Sequence, residues 1–223
     1  MSGAPRSFDR LARPYRMLEF IAFGSTLEQV RFHFLDQLRD CGAILVLGEG
    51  DGRCLARLVR LAPDARFTCV DFSGAMLARA RARLTPADAA RVDFVHADAL
   101  GGEFPPGDFD GVVTLFFLDC FTPAQTAGLI GRIVARLRPG ARWLWADFQI
   151  PAGGPARWRA QLWLKILYGF FRWQTALPAR ALPPAEELLQ SAGLVLVAGR
   201  DFEGGLLRSA LYRLPGPLPV TVA

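Results

Sequence analysis

Lysine is almost missing from this sequence: Lys165 is the only one among 26 basic residues, so arginine carries nearly all of the formal net charge of +5. The basic residues form no run and no recognition motif, and a nucleic acid is therefore not the expected partner. Histidine is scarce as well, with His33 and His96 alone. The four cysteines, Cys41, Cys54, Cys69 and Cys120, show no Cys-x-x-Cys spacing. That leaves neither a zinc ligand set nor a disulfide framework, and no metal is expected. Apolar residues are abundant, yet no run approaches the roughly 18 that a membrane span needs. Asp119 interrupts the most apolar stretch, Val112 to Phe121. Arg6, Asp9, Arg10, Arg13 and Arg16 scatter charge where the apolar core of a cleavable signal would lie. The expectation is a cytoplasmic α/β protein, its 223 residues sufficient for one full core and a small cap.

What the sequence does contain is an apolar strand that runs directly into a glycine-spaced loop: Ile44-Leu45-Val46-Leu47-Gly48-Glu49-Gly50-Asp51-Gly52-Arg53. Glycines let the backbone turn sharply and approach a ligand closely, and the free N–H groups at the start of the following helix favour acceptor or anionic groups. The geometry suits a nucleotide-like cofactor. Asp71, which follows the next strand, stands about 20 residues beyond the loop, at the distance expected of a ribose-binding carboxylate.

Strands and helices then alternate. Strands are expected at Ile44–Leu47, Arg66–Val70, Val92–His96, Gly111–Phe116 and Arg142–Phe148, with helices at 53–61, 74–84 and 124–137 between them. Pro139-Gly140 reads as the stop of the last of these helices. Two helices precede the first strand, Phe8 to Phe23 and a second that a Ser25-Thr26-Leu27-Glu28 capping box starts and that continues toward Asp40. A breaker cluster, Pro151-Ala152-Gly153-Gly154-Pro155, releases the chain into a long aromatic helix over 156–176. A short helix after Pro183-Pro184 runs to Ala192, and strands Leu194–Ala198 and Leu206–Leu214 follow, joined across Glu203-Gly204-Gly205. That link is too short for a parallel crossover, so these strands should pair antiparallel.

An antiparallel last strand on a parallel sheet tells against a plain dinucleotide dehydrogenase. Together with the glycine loop and the acid after strand two, the pattern resembles the class I S-adenosylmethionine-dependent methyltransferases over residues 40–214. Val46-Leu47-Gly48-Glu49-Gly50-Asp51-Gly52 is similar to that family's first motif, Val70-Asp71-Phe72-Ser73 with Met76-Leu77 to its second, and His96-Ala97-Asp98-Ala99 to its third. Asp108-Phe109-Asp110-Gly111-Val112-Val113 and Leu137-Arg138-Pro139-Gly140 resemble its strand-four motif and the turn before strand five. The opening Phe8-Asp9-Arg10-Leu11-Ala12-Arg13-Pro14-Tyr15 and the stretch Leu167-Tyr168-Gly169-Phe170-Phe171-Arg172 are similar to small bacterial methyltransferases of quinone biosynthesis. The family often has an acid where Val46 stands, so a contact to the cofactor's amino group must come from Glu49, Asp51 or elsewhere.

The resemblance implies a doubly wound, seven-stranded mixed sheet with an antiparallel last strand and a helical lid. One domain is expected over 1–223, divided into an N-terminal lid (1–40), a cofactor-binding core (41–150), cap helices (151–192) and a C-terminal hairpin (193–214). It also implies S-adenosylmethionine as cofactor. Gly48, Gly50 and Gly52 would let the backbone lie against it, Asp71 would accept from the ribose hydroxyls, and Asp98 would accept from the adenine amine. Phe72, Met76 and Ala99 would wall the ring, Phe116 would lie at the carboxyl edge after strand four, and Glu49 and Asp51 would place negative charge near the sulfonium. Each has an ordinary structural alternative as a turn, cap or core residue. Asp119 is the candidate for orienting or deprotonating a nucleophile, with a helix-cap role as the alternative. Tyr15 resembles a tyrosine that closes over the cofactor, although helix packing accounts for it equally well.

Segment 156–176 combines Trp158, Leu162, Trp163, Ile166, Leu167, Phe170 and Phe171 with Arg157, Arg159, Lys165 and Arg172 and has no acid. That composition suits a cap over an apolar pocket, contact with an apolar substrate, or peripheral membrane contact. The function expected from the whole is methyl transfer by direct in-line displacement to a small, partly apolar acceptor. A non-catalytic cofactor-binding or regulatory module of the same fold, and an NAD-linked oxidoreductase, remain as alternatives. The oligomeric state is left open.

Overall fold

The computed structural model describes residues 25–101, 105–151, 153 and 182–216. The expected helix Phe8–Phe23 with Tyr15, and the aromatic segment 156–176, lie outside the described residues.

The described chain begins with α1 (Thr26–Phe32) and a 3-10 turn at Leu35–Leu38, not with one helix reaching Asp40. The expected capping box does not form: Ser25 itself sits at φ −82°, ψ −5°, close to helical values, and its hydroxyl accepts no capping bond. Phe34 at φ −115°, ψ 16° breaks the run. The break turns Leu35 and Leu38 into the same core that receives Leu27 and Val30.

Seven strands follow: β1 (Ala43–Leu47), β2 (Arg66–Asp71), β3 (Val92–His96), β4 (Phe109–Leu115), β5 (Leu137–Phe148), β6 (Val195–Phe202) and β7 (Leu207–Arg213). They form one sheet in the order β3-β2-β1-β4-β5-β7-β6. The first five are parallel, whereas β7 is antiparallel to both β5 and β6. The expected antiparallel ending is present, and the short Glu203–Gly205 turn makes it.

Apolar residues run almost unbroken through the central strands because both faces are covered. On β1, Ile44 and Val46 enter one core with Cys54, Leu55, Leu58 and Val59 of α2 (Arg53–Leu61). Leu45 and Leu47 point the other way. There they meet Leu129, Ile130 and Ile133 of an amphipathic helix over Pro123–Val134, together with Trp143, Trp145 and Tyr212. Indole Nε1 of Trp143 donates to Thr114 Oγ1 at 2.8 Å, so the buried ring brings no unsatisfied donor. Between β2 and β3 lie α3 (Gly74–Ala82) and α4 (Pro86–Ala89). The Pro123–Val134 helix is α5, started by a capping box between Thr122 and Gln125, and α6 (Ala185–Ser191) precedes β6. The carboxylate of Asp110 accepts from the N–H groups of Gly42 and Ala43 at 2.9 and 2.8 Å, fixing the entry to β1 against β4.

Pro139-Gly140 does not stop α5. That helix ends at Val134, and Leu137 already pairs with Phe109 as the start of β5. Phe109 faces Leu137 and Gly111 faces Arg142, so Pro139 and Gly140 lie in a bulge within the strand, with Gly140 at φ +85°.

Candidate active site

The loop after β1 turns through three left-handed residues, Gly48, Gly50 and Gly52, at φ of 65°, 67° and 86°. Their surroundings differ. A Cβ on Gly48 would lie 2.3 Å from Cδ2 of Phe117, and one on Gly52 would lie 2.4 Å from Cα of Ala80. Gly48 is thus pressed under an aromatic ring and Gly52 against α3, while a Cβ on Gly50 would meet nothing within 4 Å. The middle of the loop presents bare backbone to open space, as a cradle for a ligand must.

Asp71 is joined to that loop. Its Oδ2 accepts from Gly50 N–H at 3.3 Å and its Oδ1 from Ser73 N–H at 2.8 Å. Burial raises its pKa and the two backbone bonds oppose the rise. A carboxylate offers about four acceptor sites, so two remain for a ligand's hydroxyl pair. One strand further out, Asp98 is exposed just past β3, with Oδ1 accepting from Leu100 N–H at 2.9 Å. Phe72 is 45% exposed beside it in the fold, and its carbonyl bonds to His96 Nε2 at 2.8 Å, which fixes the turn. Met76, in the first turn of α3, donates its N–H to the Ser73 cap, and Ala99 is half-buried with its carbonyl held by Arg132 at 3.0 Å.

The two loop acids part company. Glu49 turns inward: its Oε1 accepts from Leu55 N–H at 2.8 Å, and burial pushes its pKa up to about 8 against the pull of that bond and of Arg31. Asp51 turns outward to Arg53 Nε at 3.2 Å and Arg83 Nη2 at 2.9 Å. Glu49, not Asp51, is therefore the acid that faces inward to the start of α2, and both are half-buried.

Beyond β4 the chain reverses at Phe116, which takes φ +54°, uncommon for a residue with a side chain. Its N–H donates to Ala146 O at 2.7 Å, its ring meets Phe148 edge-on at 5.3 Å, and the guanidinium of Arg31 lies 5.0 Å above it. Asp119 follows on a 3-10 turn, Leu118–Cys120, where Cys120 Sγ donates to its Oδ1 at 3.5 Å. Burial and the neighbouring Asp119 carboxyl raise the Cys120 thiol well above its usual range, which makes it a poor nucleophile.

The structure adds two residues that sequence reasoning missed, Arg31 beside Phe116 and Asp147 at the end of β5. Asp147 is only 2% exposed, and its Oδ2 accepts from Trp145 Nε1 at 2.9 Å. The signal was an acid closing the apolar run Trp143-Leu144-Trp145-Ala146-Asp147-Phe148. On the same edge, a cavity of about 630 Å³ opens beyond β5, lined by Ile150, Pro151, Phe202, Glu186, Asp201 and Arg208 among others. It lies toward the β6–β7 end, two strands from the glycine loop and so about 10 Å or more away.

Residues 44–140 match the methyltransferase domain family. The fold is that of S-adenosylmethionine-dependent methyltransferases of known structure, and the matched residues hold the glycine loop, Asp71 and Asp98. Demethylmenaquinone methyltransferase of Thermus thermophilus is 37% identical over 111 residues, covering 50% of this chain and 49% of that protein. The chain thus aligns with about half the length of that relative. An uncharacterized methyltransferase of Mycobacterium tuberculosis is 29% identical over 146 residues, 63% of this chain and 70% of the relative. Among solved structures, an O-methyltransferase family protein from Burkholderia thailandensis superposes with a TM-score of 0.71 at 17% identity over 94% of this chain and 61% of its own. Human N-acetylserotonin methyltransferase, solved with S-adenosylmethionine, gives 0.59 at 19% identity over 93% of this chain and 55% of its own. At such identities these two likenesses concern the fold. The methyltransferase cofactor is S-adenosylmethionine, and the residues around this loop fit it: an open backbone at Gly50, the acceptor carboxylates of Asp71 and Asp98, and the inward acid Glu49. Among the described residues no cluster of metal-binding side chains occurs, and no helix is long and apolar enough to cross a membrane.

Proposed function

We propose that this methyltransferase moves the methyl group of S-adenosylmethionine to a small, partly apolar acceptor held at the carboxyl ends of β4 and β5. The observation that carries this reading is the Asp71 to Gly50 bond, which joins the ends of β1 and β2 beside the open backbone of Gly50, with Asp98 past the end of the next strand. Gly48, Gly50 and Gly52 hold the methionine and ribose portion, Asp71 binds the ribose hydroxyls and Asp98 binds the adenine amine. Phe72, Met76 and Ala99 flank the ring. Glu49 supplies negative charge near the sulfonium, and Asp51 steadies the loop through its arginine pairs. Phe116 closes the acceptor side.

When bound, the cofactor supplies an electrophilic methyl that needs no covalent help from the protein. The chain's task is to align the nucleophile, keep water out and take a proton where the acceptor carries one. Asp119 takes that proton. The cavity beyond β5, with Ile150, Pro151 and Phe202 beside charged groups, supports an acceptor that is apolar in one part and polar in another.

The Thermus thermophilus relative is named for demethylmenaquinone, and a reduced naphthoquinone is accordingly the first acceptor to try. The protein is incubated with methyl-labelled S-adenosylmethionine and either that quinol or a metabolite extract, and label is followed into the organic phase. Transfer to one of them is the expected result. Calorimetry with S-adenosylhomocysteine runs beside it: absence of binding overturns the cofactor site, and binding without any transfer overturns turnover in favour of a binding module.

A further inference from the structure

Two carboxyl groups meet behind the acceptor edge. Asp119 sits on the 3-10 turn after β4, and Asp147 sits at the end of β5 on the sheet face that carries Trp143 and Trp145. Of Asp147's two oxygens, Oδ2 is held by the Trp145 indole at 2.9 Å. Oδ1 is buried and, among the described residues, has no hydrogen-bond donor. Asp119 reaches this carboxyl with both its backbone N–H, which donates to it, and its side chain; between the two side chains, a pair of ionised carboxylates has no hydrogen to place. A buried acceptor without a donor costs roughly 1–3 kcal/mol, and a buried charge costs more. One proton between the pair removes both penalties.

We propose that Asp119 and Asp147 share a single proton at neutral pH, and that Asp147 is a positioning residue which presents Asp119 to the acceptor as an ionised, hydrogen-bonded base. The inference rests on the reading of Asp119 as the proton acceptor. In the step itself, an acceptor X–H loses its proton to an Asp119 oxygen while the X electron pair forms the bond to the methyl group. The pair of the broken sulfur–methyl bond stays on sulfur, which becomes neutral. The pair then holds two protons and returns one to water before the next turnover.

Around the pair, two donors to Asp147, the Trp145 indole and the Asp119 N–H, favour its ionised form and are outweighed by burial and the Asp119 carboxyl. Trp145 donates to Asp147 from its own strand, and Cys120 donates to Asp119 from its own turn. Asp71 adds negative charge toward Cys120 from β2. Across the sheet Arg208 is the register partner of Asp147, but its guanidinium bonds to Glu186 and to Asp201. Burial first and the Asp119 carboxyl second raise Asp147 well above the ordinary carboxyl range.

The test is isotope-edited infrared spectroscopy of the full chain with carboxyl-labelled aspartate, which leaves Glu49 silent. The wild type is expected to show a protonated aspartic acid band at neutral pH, and no such band overturns the inference whatever any variant does. Asp147→Asn keeps a donor toward Asp119 and an acceptor for Trp145, and it should abolish the band. Asp119→Asn should keep the band but let it titrate at least about tenfold more readily, one pH unit lower, because the neighbouring charge is gone. A band that survives Asp147→Asn, or one whose titration is unmoved by Asp119→Asn, also overturns the pair. Since S-adenosylhomocysteine binding is measured separately, a failed pair and a failed cofactor site give different results.

Discussion

Gly48 lies under the ring of Phe117: a methyl group built on its Cα would stand 2.3 Å from Cδ2. The same residue has φ +65°. Gly48→Ala therefore meets two obstacles, a backbone region that side chains disfavour and an aromatic ring in T-shaped contact with Phe121 at 5.1 Å. A loss of about 1–3 kcal/mol in urea denaturation is expected. Adding Phe117→Leu should return part of that loss and leave the backbone share. An unchanged midpoint in Gly48→Ala would show that the loop and the strand-four aromatics are not packed together.

Asp71 gives the sharpest binding test. Asp71→Ala should weaken S-adenosylhomocysteine binding at least about tenfold, or roughly 1.4 kcal/mol. Because Asp71 also accepts from Gly50 and Ser73, Asp71→Asn serves as a companion that keeps the side chain's shape and one of these two bonds. It should bind more tightly than the alanine variant and less tightly than wild type. Calorimetry reads both, and an affinity equal to wild type in Asp71→Ala removes the ribose role.

Much of this was legible beforehand because a doubly covered parallel strand has to be apolar throughout, and the glycine loop has to be glycine. Strand β3 and helix α2 have the bounds that periodicity predicts, Val92–His96 and Arg53–Leu61. The misreadings have local causes. Ser25 and Glu28 have capping-box spacing, but Glu28 is engaged by Arg53 of α2 at 3.2 Å. Pro139-Gly140 carries a helix-stop pattern that also makes a bulge, and only pairing with β4 distinguishes the two. Asp51 and Glu49 were equal candidates on spacing alone. The arginines that turn Asp51 outward come from α2 and from the residue that ends α3, and a linear pattern carries no record of Arg83 reaching back 32 residues. Asp147 was passed over because an acid near a strand end is ordinary until burial makes it costly.

Arg91 ties the cofactor half together from below. Its guanidinium donates to the carbonyls of Val59 at 2.7 Å and of Ala62 and Ala65 at 3.1 Å each, and it pairs with Asp88 at 2.8 Å. The first two of these carbonyls belong to the end of α2 and its cap, whose acceptors a helix cannot satisfy itself. Arg91→Ala should cost about 1.5–3 kcal/mol, the range for hydrogen bonds to a charged group. Arg91→Lys should recover only part, since one ammonium cannot span the same fork. Chemical denaturation decides, and a change within about 0.5 kcal/mol would mark the contacts as surface decoration.

Glu49 links pH to both folding and cofactor choice. Burial lifts its carboxyl to about 8 in the folded chain, against an ordinary value of 4.5. The folded state thus holds a proton that the unfolded state gives up, and stability contributed by the neutral acid is complete below the ordinary range and drains away as pH rises toward 8. Glu49→Gln keeps an oxygen for Leu55 N–H and cannot ionise. Its stability advantage over wild type should grow between about pH 4.5 and about pH 8 and level off above that. A sulfonium beside Glu49 favours the ionised form, whereas neutral S-adenosylhomocysteine does not. The ratio of S-adenosylmethionine to S-adenosylhomocysteine affinity should therefore climb with pH in the wild type and stay level in Glu49→Gln. Parallel slopes for the two ligands in the wild type would place the sulfonium away from Glu49 and leave that carboxyl with only its bond to α2.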